Sequence, residues 1–107
     1  MKDYRSCTRV LFRKYGEGDI VAVFPDEPGT SDPASCMTYQ SIGQHCSAGA
    51  ALVMAHTSPA RPGEYAELKR ELVSIGYADL HTVKRMPPTA YRNRQALVAG
   101  RAMLAGR

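Results

Sequence analysis

The sequence predicts an α+β fold in which an antiparallel-rich sheet of about four strands carries two helices on one face. Three observations predict it. Strand-like runs fill the first part of the chain, two helix-like segments follow, and a last strand-like run ends at a proline pair. A sheet covered by helices is the economical way to bury both kinds of apolar surface. The expected order is β-β-β-α-α-β, followed by a basic C-terminal tail.

The first two strands are expected to form a hairpin. Residues 8–15 (TRVLFRKY) are rich in β-branched and aromatic side chains, and residues 20–24 (IVAVF) form a continuous apolar run that Pro25 stops. A run without alternation indicates a strand that is buried on both faces. The segment 16–19 (GEGD) supplies glycines for the positive φ angles of a tight turn. The polar loop 25–33 (PDEPGTSDP) is expected to be exposed.

A third strand and a short helix are expected in the middle of the chain. Residues 36–42 (CMTYQSI) predict a strand that ends at Gly43. Ser47 can cap an Ala-rich helix over residues 48–56, because a serine oxygen accepts a hydrogen bond from the first turn. The chain would therefore pass from strand to helix between residues 43 and 47.

The clearest helix is predicted over residues 62–75. A proline stands in its first turn, glutamates follow near its positive end, and apolar residues recur at 3-4-3 spacing. Gly76 is expected to end it. Residues 80–86 (LHTVKRM) then predict a final strand before Pro87.

The charge is concentrated at the C-terminus. Up to Pro88 the chain has ten basic and ten acidic residues, so the formal charge of +4 comes from the last four arginines, Arg92, Arg94, Arg101 and Arg107. The proline pair disfavours continuation of either strand or helix. We therefore expect a single domain over residues 1–88. The tail over residues 89–107 is expected to be basic, either helical or disordered, and dispensable for folding.

The composition excludes several classes of protein. A chain of 107 residues with 44% hydrophobic residues is one small globular domain and not a disordered protein. Its 3 cysteines are too few for a disulfide scaffold, and reduced thiols are the default. No apolar run approaches the ~20 residues of a membrane span, and the charged start does not fit a signal peptide. A cytoplasmic protein without a membrane partner is expected.

No pattern of residues in the sequence predicts catalysis. The G-x-S-x-G, HExxH, P-loop and G-x-G-x-x-G motifs are all absent. Zinc is the sharpest alternative, since thiolates and imidazoles occur close together at Cys36, His45, Cys46 and His56. The only close pair is adjacent in sequence, whereas structural zinc sites take ligands two to four residues apart. We therefore expect no enzyme, no cofactor and no metal site.

A polar segment at a strand end is one candidate binding surface. Residues 39–45 (YQSIGQH) place Tyr39, Gln44 and His45 around a glycine, where proteins often present recognition groups. The alternative is that Gln44 and His45 satisfy backbone groups at the junction between strand and helix.

Basic residues form the other candidate surface. They lie on the first and last strands and in the tail, at Arg9, Arg13, Lys14, Lys84, Arg85, Arg92, Arg94 and Arg101. A basic strip of this kind would contact phosphates. Whether Arg13 and Arg85 share a face depends on the order of the strands.

Four phrases of the sequence resemble a known family. They are VLFRKYGEGDIVAVFP (residues 10–25), MTYQSIGQH (37–45), EYAELKRELVSIGY (64–77) and LHTVKR (80–85). The family consists of small, mostly uncharacterised proteins carried by phages, integrating elements and gut-type bacteria, and the resemblance covers roughly residues 9–86. The chain departs from it at Arg61, where a Thr or Ser helix cap is usual. The resemblance implies an accessory role and no particular catalytic residue.

These observations favour a binding protein of mobile-element origin. The first expectation is a non-enzymatic inhibitor or modulator of host nucleic-acid-handling or defence machinery, similar in role to anti-CRISPR proteins. Its partner would be a host protein or a ribonucleoprotein complex. The alternative is a module that binds nucleic acid directly through the C-terminal arginines and the basic strands.

Overall fold

A mostly antiparallel sheet and three helices build the part of the chain that the structure describes. This computed structural model describes residues 8–40 and 45–105 and confirms the α+β class. The elements, in chain order, are β1 (Thr8–Tyr15), β2 (Ile20–Phe24), β3 (Ser35–Tyr39), β4 (His45–Gly49), α1 (Ala50–His56), β5 (Thr57–Pro59), α2 (Pro62–Ser74), β6 (Leu80–Thr82) and α3 (Ala90–Ala105). Strands β4 and β5 were not expected, and α3 lies in the predicted tail.

The sheet has the order β4-β3-β2-β1, and two short strands share the outer edge of β1. Strand β5 runs antiparallel to β1 along residues 13–15. Strand β6 runs parallel to it along residues 8–10. The last strand is therefore shorter than predicted, because residues 83–86 leave the sheet after Thr82.

The predicted hairpin of β1 and β2 is confirmed. Leu11 lies opposite Val23 and Lys14 opposite Ile20. In the turn, the Tyr15 amide donates to the Asp19 carbonyl at 2.9 Å. Gly18 has a φ of 105°, which is unfavourable for residues with a Cβ. The turn glycine thus has the role that the sequence indicated.

The two predicted helices lie on opposite faces of the sheet, so the expectation of one covered face is wrong. Alternate residues of β1 belong to two separate apolar clusters, one around Phe12 and the other around Leu11. Leu68 and Leu72 of α2 pack in the first cluster. Val53 of α1 packs in the second. The central strands are apolar on both faces, and one helix layer could have covered only one of them.

Ser47 does not cap α1. It belongs to β4 and lies opposite Met37 of β3, so the helix begins later, after Gly49, without a side-chain cap. Strand β3 ends at Tyr39 and not at residue 42, and residues 41–44 lie outside the described part. Pairing with β3 holds residues 45–49 extended despite the helix-forming alanine and the missing apolar pattern.

Helix α2 starts and stops where the sequence predicts. Pro62 is its first residue, and the Glu64 carboxylate accepts a hydrogen bond from the Arg61 amide at 2.9 Å. At the other end Gly76 has a φ of 124°. Its amide donates to Val73, and the Tyr77 amide donates to Leu72 at 3.1 Å. This pair of bonds is a Schellman motif, which ends helices at a glycine.

The start of α3 is bound to the loop between β2 and β3. Arg94 is only 4% exposed, and its Nε and Nη1 atoms donate to the carbonyls of Pro33 and Pro25 at 2.7 and 2.6 Å. The side-chain amide of Asn93 donates through Nδ2 to the Asp26 carboxylate at 2.8 Å. The loop was expected to be exposed, but Pro25 and Pro28 are buried. Helix α3 holds the loop through hydrogen bonds to the carbonyls of the loop. The hydropathy of the loop sequence does not reveal these bonds.

Candidate anion-binding groove

The groove arises where β5 and β6 approach each other along the edge of β1. Because β5 is antiparallel and β6 parallel to β1, their C-terminal ends point toward the same stretch of that strand. The Ala60 amide donates to the Phe12 carbonyl at 3.0 Å, and the Val83 amide donates to the Val10 carbonyl at 2.9 Å. The chain leaves the sheet on both sides of this point, and the space between the departing segments is open.

This groove has a volume of about 750 Å³. It is lined by Leu11, Phe12, Arg13, Met54, Pro59, Ala60, Arg61, Pro62, Lys84, Arg85 and Met86. Seven of these residues are apolar and four are basic, and none of the lining residues in the described part of the chain is acidic. The groove therefore combines an apolar floor with an uncompensated positive charge.

Arg13 is the recessed member of the basic set. It is 9% exposed, and α1 and β5 hold its guanidinium in place. Nε donates to Thr57 Oγ1 at 3.0 Å, and Nη2 donates to the carbonyls of Met54 and Thr57 at 3.2 and 2.7 Å. Within residues 8–40 and 45–105, the third nitrogen, Nη1, makes no hydrogen bond. Burial lowers the pKa of Arg13, but a guanidinium stays charged at neutral pH.

Lys84 and Arg85 are exposed at the rim of the groove. They follow β6 directly, and neither forms an ion pair with another described residue. Arg13 and Arg85, which the sequence placed on different strands, thus line one groove. The placement of β6 beside β1 brings these two arginines together, so the condition that depended on the order of the strands is met.

Arg61 is a groove residue that the sequence analysis did not propose. It precedes α2 in the segment Pro59-Ala60-Arg61-Pro62, and both prolines also line the groove. A basic residue between two prolines was the available signal, since such a segment is extended and exposed. The missing information was that this turn faces residues 84–86.

The tail arginines that the structure describes, Arg92, Arg94 and Arg101, do not line the groove. Arg94 is buried, and it could reach a ligand only by losing its bonds to two carbonyls. Its predicted role in binding is therefore replaced by a structural one. Arg92 is exposed on α3, and Arg101 Nη2 lies 3.7 Å from a Glu27 carboxylate oxygen.

Two more basic residues of the predicted strip are engaged elsewhere. Arg9 forms hydrogen bonds with Asp26 and with Thr89 Oγ1. Lys14 Nζ lies 2.6 Å from a Glu64 carboxylate oxygen, on the face that α2 covers. The basic strip predicted along the first strand is thus interrupted. Of the basic residues of β1, only Arg13 lines the groove.

Of the candidate residues in segment 39–45, Tyr39 and His45 lie on the α2 side of the sheet. Tyr39 is fully buried, and its hydroxyl donates to the Glu71 carboxylate. His45 is exposed, with Nε2 2.7 Å from the Tyr77 hydroxyl, and Gln44 lies outside the described residues. Burial raises the pKa of Tyr77. Tyr39 is therefore a core residue, and these side chains are not part of the groove.

A second depression lies on that same side and has the opposite charge. Its volume is about 650 Å³, and its lining includes Asp19, Glu64, Glu67 and Glu71. Two of these carboxylates are bound within the protein, Glu64 to Lys14 and Glu71 to Tyr39. The acidic depression therefore lies under α2, and the basic groove lies at the edge of β1.

The cysteines and histidines considered for zinc are dispersed. Cys36 is buried under α1, where burial raises its thiol pKa, while Cys46 is exposed on β4. His56 ends α1 and is hydrogen-bonded at Nδ1 to the Leu52 carbonyl at 2.9 Å. Among the described residues, no three His, Cys, Asp or Glu side chains are arranged to hold a metal ion.

Comparisons with known proteins identify no relative of this chain. A scan against protein-family models and searches of curated proteins and solved structures return no match for the chain. No helix in the described residues is long and apolar enough to span a bilayer. Inferences about function therefore depend on the groove itself.

Proposed function

We propose that this protein is a cytoplasmic, non-enzymatic nucleic-acid-binding module and that the groove contacts the phosphate backbone. The observation that carries the proposal is the lining of the groove: four basic side chains and no acidic one, drawn from β1, the turn before α2 and the segment after β6. Arginine and lysine supply most of the affinity of proteins for nucleic acid, because they neutralise phosphates and release counterions.

The separation of acidic and basic surfaces supports a defined orientation on the ligand. Acidic residues line the depression under α2, and basic residues line the groove at the edge of β1. A polyanion is repelled by the depression and attracted by the groove, which directs its approach to the groove. The net charge of +4 alone would not distinguish the two surfaces.

A role as an inhibitor of host machinery remains the second candidate. The observation that favours it is the exposed apolar end of α3, where Met103 is 69% and Leu104 68% exposed. Large exposed apolar side chains at one end of a helix are typical of protein contacts. In a mobile-element protein, this end would contact a host protein that itself handles nucleic acid.

Fluorescence anisotropy with a labelled oligonucleotide over a salt series tests the proposal. The full chain is expected to bind at low salt and to lose affinity steeply as salt rises. In a plot of the logarithm of the binding constant against the logarithm of the salt concentration, the downward slope should be about 0.7 to 0.9 per phosphate contact. The double variant Lys84→Ala/Arg85→Ala should bind more weakly and lower the slope by about one to two units.

A matched control is present on α2. The double variant Lys69→Ala/Arg70→Ala removes the same pair of residue types from the opposite side of the sheet, and we expect it to retain the affinity and the slope of the parent. An absence of binding at low salt would refute the proposal, as would an equal loss in both double variants.

A further inference from the structure

We infer that the groove accepts an unpaired nucleotide of a single strand, with a phosphate on Arg13 and a base on the apolar floor. This inference rests on the proposed function and adds to it the form of the nucleic acid. It follows from three properties of the groove, namely the depth of Arg13, the chemistry of the floor and the fixed position of the guanidinium.

The depth of Arg13 favours a ligand that can enter the groove. Its side chain is 9% exposed, and Nη1 is its one nitrogen without a hydrogen bond among the described residues. A duplex presents its phosphates on a convex outer surface, so it would contact the exposed Lys84 and Arg85 at the rim and not Arg13. A single strand is thinner and more flexible, and its phosphates can follow a groove inward.

The floor offers apolar contacts that a phosphate backbone cannot use. Met54 and Met86 are half-buried side chains that line the groove and pack against the apolar cluster under α1, whereas Leu11, which is also in the lining, is only 1% exposed. An unpaired base has an apolar face, which packs on thioether and aliphatic groups, whereas in a duplex that face is stacked on other bases. The volume of about 750 Å³ is in the range of sites that enclose small molecules.

The position of the Arg13 guanidinium is fixed before a ligand arrives. Thr57 and Met54 hold two of its nitrogens through three hydrogen bonds. A donor held in this way loses little conformational entropy on binding, which is the advantage of preorganisation. The exposed rim residues Arg61, Lys84 and Arg85 are free to adapt to neighbouring phosphates.

The floor also predicts tolerance of base identity. Phe12 belongs to the lining, but its ring is stacked on Tyr65 at 4.2 Å, within the cluster on the α2 side of the sheet. The base would therefore contact the side chains of Met54 and Met86, which do not form specific hydrogen bonds with base edges. We expect affinity for single strands of different sequence to vary little.

Anisotropy with two probes tests the inference on the full chain. The probes are a fluorescein-labelled single strand of about 12 nucleotides, within the site size of single-strand-binding domains, and the same strand annealed to its complement. We expect about tenfold tighter binding of the single strand at moderate salt, since base packing adds about that factor. Met86→Glu places an acid on the floor and should abolish this preference, while Met103→Glu, with the same change on exposed α3, should not.

Four outcomes are decisive. The expected preference, lost in Met86→Glu and kept in Met103→Glu, supports the inference. Equal affinity for both probes, with a loss for both in Lys84→Ala/Arg85→Ala, overturns the inference and leaves the proposed function standing. No binding of either probe overturns both. A preference that Met86→Glu and Met103→Glu leave equally intact also overturns the inference.

A thermal melt of Met86→Glu checks that it is folded. Arg13→Lys, which keeps the charge but not the planar fork, provides a second variant with the same expected loss of preference for the single strand.

Discussion

Two arginines of β1 and α3 show that the partners of a guanidinium decide its role. Arg94 and Arg13 are both nearly buried, and both donate to backbone carbonyls. Arg94 donates to the loop between β2 and β3 and lies outside the lining of the groove, whereas Arg13 belongs to that lining. A count of charges along the chain cannot make this distinction, which is why Arg94 was expected to bind a ligand.

Arg94→Ala is expected to lower the free energy of unfolding by about 2 kcal/mol, because two charge-assisted hydrogen bonds are lost and two carbonyls are left without their donor. Arg92→Ala, on the exposed side of the same helix, should change it by less than about 0.5 kcal/mol. Urea unfolding measures both. Equal stability of the two variants would contradict the structural role of Arg94.

Asp26 links the loop to its partners in a way that depends on pH. Burial by itself raises the pKa of Asp26, but the hydrogen bonds from Arg9 and Asn93 and the nearby positive charge outweigh it, and the pKa lies below its ordinary value of 3.8. A lowered pKa stabilises the folded state above the ordinary value, and this contribution is lost as the pH falls below about 4.

The variant Asp26→Asn removes this titration. We expect it to be less stable than the parent at pH 7 and to lose less stability between pH 7 and pH 3. Both proteins are compared in a Glu27→Gln background, because burial and the Asp26 charge raise the pKa of Glu27 and Asp26→Asn would also change that titration. Urea unfolding at the two pH values is the measurement, and parallel losses in both proteins would contradict the assignment.

At the scale of elements, the sequence predicts those that have a strong local pattern. The hairpin and α2 are correct because their alternation, turn glycines and terminal signals are all local. Strands β4 and β5 were missed because their sequences, HCSAG and TSP, have no apolar alternation and form strands only through pairing with β3 and β1. Local propensity carries no information on such pairing.

The candidate site follows the same division. The sequence identifies Arg13 and Arg85 as basic strand residues, but their proximity depends on the placement of β6 beside β1. The methionines of the floor carry no local signal of binding, since methionines on helices and strands are usually core residues, and Arg61 stands out only as a basic residue between two prolines. The residue types of the groove are thus predictable from the sequence, and its assembly is not.

Removal of helix α3 tests whether an element outside the two apolar clusters contributes to the stability of the fold. Neither cluster contains a residue beyond Met86, so a chain of residues 1–88 should fold, with the strand signal of the parent in circular dichroism and a helix signal reduced by the 16 residues of α3. Its melting temperature should be several degrees lower, because the bonds of Asn93 and Arg94 to the loop are lost. An unfolded truncation, or one with the melting temperature of the full chain, would contradict this expectation.

At the scale of the whole molecule, the main difference from the sequence-based fold is the distribution of helices over the sheet. The run IVAVF already indicated a strand buried on both faces, which two helices on one face cannot provide. With α1 and α2 on opposite faces, each face of the sheet has its own apolar cluster. The acidic depression lies under α2, whereas the basic groove lies at the edge of β1, where residues of both clusters line it.

The parallel pairing of β6 with β1 also sets the order of events during synthesis and folding. The β1–β2 hairpin closes a short loop and can form early, whereas Thr8 meets Leu80 only after most of the chain has been made. Because Lys84, Arg85 and Met86 follow this last strand, the groove is completed at the end of folding. Under the proposed function, a chain still emerging from the ribosome has the hairpin and no groove, and we expect that it does not capture ribosomal or messenger RNA through this site before it is released.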